Sequence, residues 1–291
     1  MILFPEIGTH GRLGNQLFQL AAMIAIEIET GNKAFLPIDI EDRIFDNQKS
    51  LLHNFKHACS YYSNSDYTQI LNNCMRVLFP ANEDLEYPRH QVMTIQYQNI
   101  ILEGYPESEL FFKKHKKEIK QRINLIDEKK KIGEKYIQRI RENYDKEKEI
   151  VAIHIRRGDL QEYTKEYDWN RMKQIIIDLQ TKFFASDKYV YLYFVGGSHT
   201  TNQADLEWVK NTFEMNNNSM VCEFDDTISD FSTLISCDHY ILMNRSTFSW
   251  WGAYLGTHPN KLVLVPKKTV GAIQITPSIF WSDEFTQVDM Y

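Results

Sequence analysis

The sequence predicts an α/β protein in two halves, each a parallel sheet covered by helices on both faces. Three observations predict it. Apolar strand-like segments alternate with amphipathic helical ones in units of about 25–40 residues, the spacing of βαβ crossovers. The chain has 291 residues, roughly twice a common domain size of about 150. Hydrophobic residues make up 43% and aromatic residues 13%, enough for a sizeable core and incompatible with a disordered chain. Two such halves are Rossmann-like domains facing across a cleft, with ligands expected at the carboxyl ends of the strands.

The elements follow in order. Met1–Phe4 reads as a strand, Gly8, Gly11 and Gly14 punctuate a loop, and a helix starting at Gln16 runs to Gly31, a plausible C′ residue. Lys33–Ile38 is a second strand, which gives a βαβ opening. From Glu41 to His90 the pattern weakens into short helices and loops. Ile100–Glu103 reads as a strand and Ser108–Lys120 as an amphipathic helix. In the charge-dense stretch Asp127–Glu142, Ile132, Tyr136, Ile137 and Ile140 share a helical face, so the mixed charges belong to a solvated side. The domain boundary is expected just after it, giving domains 1–145 and 146–291, with the C-terminal tail able to pack back on the first. Strands then fall at Ile150–Ile155, Tyr189–Val195, Met220–Phe224, His239–Met243 and Leu262–Val265. Helices fall between them at Trp169–Lys182, Gln203–Phe213, Asp230–Ser236 and Phe248–Leu255.

Charge and cysteines exclude several classes. With 33 Lys+Arg against 39 Asp+Glu the net charge is −6, wrong for coating a nucleic acid. An anionic ligand must therefore be held by a few placed cations. Cys59, Cys74, Cys222 and Cys237 form no C-x-x-C and no zinc-ligand spacing, so ordinary buried thiols are expected. The most apolar stretch, Leu17–Ile26, contains Gln19 and is far short of the about 20 residues needed to cross a membrane. The start MILFPEIG has neither a basic n-region nor an apolar h-region. A cytoplasmic protein is expected, with room for peripheral attachment to the inner face of a membrane.

Three constellations carry chemistry. Gly8-Thr-His-Gly-Arg-Leu-Gly-Asn-Gln joins a strand to a helix. Its spacing is neither the dinucleotide fingerprint nor a Walker A loop, but Arg12, Asn15 and Gln16 form a polar cluster that a simple turn does not require. In Val151-Ala-Ile-His-Ile-Arg-Arg-Gly-Asp, strand alternation puts His154 and Arg156 on one face and sends Arg157 elsewhere. A guanidinium there is a planar, bidentate phosphate clamp. In His239–Gly256 a buried strand runs into Asn244-Arg245, and Ser246 or Thr247 caps a helix whose first N–H groups favour an anion. Trp250 and Trp251 read as core.

No two aspartates are separated by a single residue, so the chain lacks the D-x-D pair that often holds a metal on a nucleotide-sugar pyrophosphate. It also lacks H-E-x-x-H and G-x-S-x-G. Arginine and a helix terminus are left to do a metal's work, so metal-independent diphosphate chemistry is expected.

Gly11-Arg-Leu-Gly-Asn-Gln-Leu-Phe-Gln, His154-Ile-Arg-Arg-Gly-Asp and Asn244-Arg-Ser-Thr-Phe-Ser-Trp-Trp-Gly-Ala together resemble the α-1,2-fucosyltransferase family, glycosyltransferase family 11. Asp230-Phe-Ser-Thr-Leu-Ile-Ser-Cys-Asp-His is similar to the segment preceding the third motif. The resemblance implies a GT-B architecture and inverting, metal-independent transfer of fucose from GDP-fucose to the 2-hydroxyl of a galactose-terminated oligosaccharide or glycolipid precursor. It implies no cofactor. Arg156 would hold the β-phosphate, His154 would lie along the nucleotide, and Asp230 would accept from the guanine edge. Ser246, Thr247 and Phe248 would bind phosphate and sugar, with Arg12, Gly14, Asn15 and Gln16 as the opposite wall. Glu6, His10 and, through a water, Asn15 are the candidates for the base. Two features depart from the family pattern: Gly196-Gly197-Ser198 stands where many bacterial members have an acidic pair, and Arg245 where a small residue is commoner. The rival readings are a fucosyltransferase of another linkage or acceptor and a non-catalytic GDP-sugar or glycan-binding protein.

Overall fold

The short apolar segments of the first half do assemble as parallel strands. The computed structural model describes residues 1–71, 73–79, 99–157, 168–196, 203–213, 218–224, 226–243, 245–267 and 280–289. Of the stretches singled out above, Gly158, Asp159, Gly197, Ser198 and Asn244, and residues 72 and 80–90 of Glu41–His90, lie outside the described residues. The chain divides into two compact units, Met1–Ile126 and Asp127–Tyr291. The division precedes the helix Asp127–Tyr144, whereas the sequence reading places it after that helix, at residue 145. The physical reason is Gly133. A Cβ there would lie 2.1 Å from the Ser232 carbonyl oxygen, so its absence lets the helix press against Thr227–Ile235. The Ser232 hydroxyl accepts from Gly133 N–H at 2.9 Å and donates to the Lys129 carbonyl at 2.7 Å.

The first unit holds β1 (Ile2–Leu3), β2 (Ala34–Pro37), the hairpin strands β3 (Ile44–Phe45) and β4 (Gln48–Lys49), β5 (Ser60–Tyr62), β6 (Met75–Phe79) and β7 (Ile100–Gly104). Its main sheet runs β5-β2-β1-β7-β6, with every pairing parallel. The helix Leu13–Thr30 follows β1 and is buried almost continuously from Leu13 to Ile26. It ends where Gly31 takes φ +73° and donates its N–H to the Glu27 carbonyl, a left-handed stop that suits glycine. The expected single helix over 108–120 is instead two 3-10 turns, Glu109–Phe111 and Lys113–His115, followed by Lys116–Arg122.

The second unit holds β8 (Glu149–Arg156), β9 (Tyr189–Gly196), β10 (Ser219–Val221), β11 (His239–Leu242), β12 (Val263–Pro266) and β13 (Thr286–Val288). Its sheet runs β10-β9-β8-β11-β12-β13, all parallel. The first strand of the unit is therefore central, and the chain winds outward from it in both directions, the Rossmann order. Ile150 to Ile153 of β8 are fully buried, as a strand covered on both faces requires. All four cysteines are free thiols. Among the described residues, no helix is long and apolar enough to cross a membrane.

Candidate active site

In a doubly wound sheet the ligand crevice opens where strand order reverses, at the carboxyl ends of the two strands that diverge. In the second unit that point lies between β8 and β11. His154 and Arg156 stand at the carboxyl end of β8, where His154 pairs in register with Leu242, the last residue of β11. Arg156 donates from one terminal nitrogen to the Arg245 carbonyl at 3.5 Å, a long bond that carries its guanidinium across the switch point. His154 is 4% exposed. Burial, with the Arg156 charge adding to it, pulls its pKa down to about 3, so the ring is neutral at pH 7. Its Nδ1 has no hydrogen-bond partner among the described residues, and its ring lies 5.9 Å from that of Phe248. Gly196 makes the space, since a Cβ there would approach Nε2 to 2.9 Å. The steric work of Gly196, at the start of the segment that departs from the family pattern, is on His154.

The third motif is also built as a strand-to-helix turn. Ser246 caps the helix Thr247–Leu255 by accepting from Ser249 N–H at 3.5 Å, and its carbonyl takes Trp250 N–H at 2.9 Å. Ser246 is 3% exposed, so its hydroxyl serves the cap rather than an open surface. Thr247 and Phe248 are half-buried in the first turn. Phe248 is held edge-on against Phe231 at 5.2 Å. Trp250 and Trp251 are fully buried, and Trp250 Nε1 donates to the Phe280 carbonyl at 2.8 Å, a core role as expected. Gly252 admits Leu234, which a Cβ would meet at 2.3 Å, so this helix packs tightly on Thr227–Ile235.

Asp230 sits in the first turn of that neighbouring helix, whose start is capped by Asp226 accepting from Ser229 N–H at 2.8 Å. The Cys222 thiol donates to Asp230 Oδ1 at 3.6 Å. Burial raises the Asp230 pKa to about 7; the Cys222 hydrogen bond opposes that rise and the Asp226 charge adds to it.

In the first unit the loop after β1 is fixed from below. Gly8 and Gly11 have φ +86° and +85°, and a Cβ on Gly11 would lie 2.4 Å from Asn15 Cβ. Gln16, expected on the ligand wall, is 2% exposed. Its Nε2 donates to the Gly11 carbonyl at 2.9 Å and its Oε1 accepts from Ser50 Oγ at 2.9 Å. It braces the loop from inside the fold. Gly14 is buried in the first helical turn, while Arg12 and Asn15 are half-buried. Glu6 and His10 face each other at 3.7 Å, each more than a third exposed.

Several contributors escaped the sequence reading. The β3–β4 hairpin turns at Asp46 and Asn47, both with positive φ (52° and 58°), the I′ arrangement that fits strand twist. Asp46 lies 3.8 Å from Arg12. Arg43, just before the hairpin, donates to the Pro5 carbonyl and, at 3.1 Å, to that of Ile7. Gln19 Nε2 reaches the carbonyls of His10 (3.3 Å) and Gly104 (3.4 Å), tying the loop after β1 to the end of β7. The available signal was an Asp-Asn pair between short apolar segments.

Solved structures share the α/β fold of this chain. The chain is similar to an Arabidopsis thaliana FUT1 mutant solved with GDP, at TM-score 0.55 and 11% identity over 90% of this chain and 68% of that one. It is also similar to POFUT1 solved with GDP, at TM-score 0.54 and 13% identity over 90% of this chain and 99% of that one. The class is thus an α/β protein of the fold these two share. Within it, the model of Glycosyl transferase family 11 matches residues 3–274, and the chain belongs to that family and is a glycosyltransferase. Its relatives include galactoside alpha-(1,2)-fucosyltransferase 2 of Hylobates lar, 25% identical over 86% of this chain and 68% of the relative. The Bos taurus protein of the same name is 26% identical over the same shares.

Proposed function

We propose that this enzyme transfers L-fucose from GDP-fucose to the 2-hydroxyl of a galactose-terminated glycan, inverting the anomeric carbon and using no metal. The observation that carries the reading is Arg156, which reaches from the end of β8 to the Arg245 carbonyl at the switch point. Membership of family 11 and relatives named galactoside alpha-(1,2)-fucosyltransferase support it. So do fold neighbours solved with GDP. A GT-B assignment belongs to the same proposal, with the second unit taking the GDP-sugar and the first the acceptor.

The chemistry is a displacement. The acceptor oxygen attacks the fucose anomeric carbon as the bond to the β-phosphate oxygen breaks, and the bonding pair leaves with GDP. Arg156 and the start of the Thr247–Leu255 helix stabilise that growing charge, with Thr247 and Phe248 at the phosphate and sugar. Neutral His154 lines the nucleotide without adding a cation. The acceptor proton passes to a base of the first unit, for which Glu6, His10 and, through a water, Asn15 are candidates. Arg12, Gly14 and Asn15 line the fucose and acceptor side, and Gln16 acts beneath them as the brace of their loop.

The test is GDP release and product formation from GDP-fucose and a galactose-ended oligosaccharide, with and without excess EDTA. Fucosylated product at an undiminished rate in EDTA is expected. Loss of product with EDTA would remove the metal-independent mechanism. Binding of GDP-fucose with no product on any galactoside would favour a binding protein instead.

Asp230 adds a pH test. As an acceptor for the guanine N–H groups it must be ionised, and its pKa is raised to about 7. Affinity for GDP is therefore fully developed above pH 7 and falls as pH drops through that value. Calorimetry at pH 8 and pH 6 should show a loss of about tenfold, one unit of proton competition. Asp230→Asn should flatten the difference; an equally steep profile in that variant would take Asp230 off the guanine.

A further inference from the structure

Arg157 follows Arg156 and emerges on the opposite side of β8, as alternation demands. Its guanidinium carbon lies 4.1 Å from the centre of the Trp208 ring and 5.0 Å from that of Trp169, both within cation–π range. The two indoles meet edge to face at 5.7 Å. Asp205, with a side chain 5% exposed, lies 3.4 Å from Arg157 Nε. The main chain is fixed as well, because Arg157 N–H donates to the Gly196 carbonyl at 3.2 Å. Among the described residues, Nε and one terminal nitrogen of Arg157 have no hydrogen-bond partner. The side chain is thus held by ring faces and by one opposite charge.

We infer that Arg157, clasped by Trp169, Trp208 and Asp205, is a positioning residue that anchors the end of β8 and so aims Arg156 at the diphosphate. The inference rests on the proposed phosphate role of Arg156. A strand end is prone to fray, because its last carbonyls and N–H groups have partners on one side only. Fastening residue 157 by both backbone and side chain restricts the peptide that launches Arg156. It also engages the second arginine of the pair away from Arg156, on Trp169, Trp208 and Asp205. Arg157 and Trp208 come from elements on either side of β9, so the clasp joins the end of β8 to the helix Gln203–Thr212.

The test is a cycle of variants. Arg157→Lys keeps the charge but gives up the planar stack; Asp205→Asn keeps the shape and removes the counter-charge, and serves if the lysine variant melts early. Each is made alone and together with Arg156→Ala. Hydrogen exchange at the Arg157 amide and the affinity for GDP are measured. Exchange should quicken at least tenfold in Arg157→Lys, and GDP should bind about tenfold more weakly. On the Arg156→Ala background neither variant should weaken GDP further, because a residue acting through Arg156 has nothing left to aim. Unchanged exchange would overturn the clasp. An equal loss of affinity on both backgrounds would make Arg157 a direct ligand contact and overturn the positioning role. Quickened exchange with unchanged GDP affinity in every variant, Arg156→Ala included, would instead overturn the phosphate reading of Arg156.

Discussion

Arg156→Ala should lower fucosyl transfer by about three orders of magnitude in kcat while the protein stays folded, the scale seen when a preorganised charge on a leaving group is removed. The physical ground is that the leaving diphosphate gains charge as the glycosidic bond breaks, and a fixed guanidinium stabilises that charge without reorganising. Most of the loss should fall on kcat rather than on KM, because the interaction strengthens in the transition state. Arg156→Lys should recover only part, since an ammonium cannot make two parallel hydrogen bonds. The fold should survive. Arg156 sits at the partly exposed end of β8, outside the buried cluster built on Val151, Ile153, Ile155 and Ile176. Stopped assays of GDP release, with a thermal melt as control, decide the matter. Near-normal turnover from a folded Arg156→Ala protein would sink the clamp.

Much of this site was legible because strand alternation is a local rule. His-x-Arg at the end of an apolar run puts two side chains on one face whatever the rest of the chain does. A serine before Thr-Phe-Ser-Trp-Trp needs only the next three residues to become a cap. Gln16 shows the limit. A polar side chain beside an apolar helix reads the same whether it faces a ligand or, as here, the Gly11 carbonyl and Ser50, 34 positions away. The stretch 41–90 was harder still. β3, β4 and β5 have two or three residues each, too few for any period to show; pairing makes them strands, β3 with β4 across a tight turn and β5 with the distant β2. Gly133 carries no signal of its own within the charge-dense helix Asp127–Tyr144. Its meaning appears only when Ser232, 99 positions on, arrives against it.

That helix supplies the second large effect. Arg141→Ala should cost about 3–5 kcal/mol, the range for orphaning a buried charge, and so lower the melting temperature by roughly 10 °C. In the native protein Arg141 grips both oxygens of Asp238 at 2.7 and 2.6 Å. Asp238 in turn accepts from Ile150 N–H at 2.7 Å. Asp238 is nearly sealed, with a side chain 6% exposed, whereas that of Arg141 is 33% exposed. The two halves of the pair are therefore unequal. Truncating the arginine strands a carboxylate in the interior; truncating the aspartate lets the arginine turn to water and orphans one backbone N–H. Asp238→Ala should accordingly cost less than Arg141→Ala, and the double variant less than the sum of the two. Because the same helix packs on Thr227–Ile235 through Gly133, loosening it should also disturb Asp230, whose pKa depends on its burial. Denaturant melts of the three variants test this order. A smaller loss in Arg141→Ala than in Asp238→Ala would show that the energy lies in the Ile150 N–H bond and not in the ion pair.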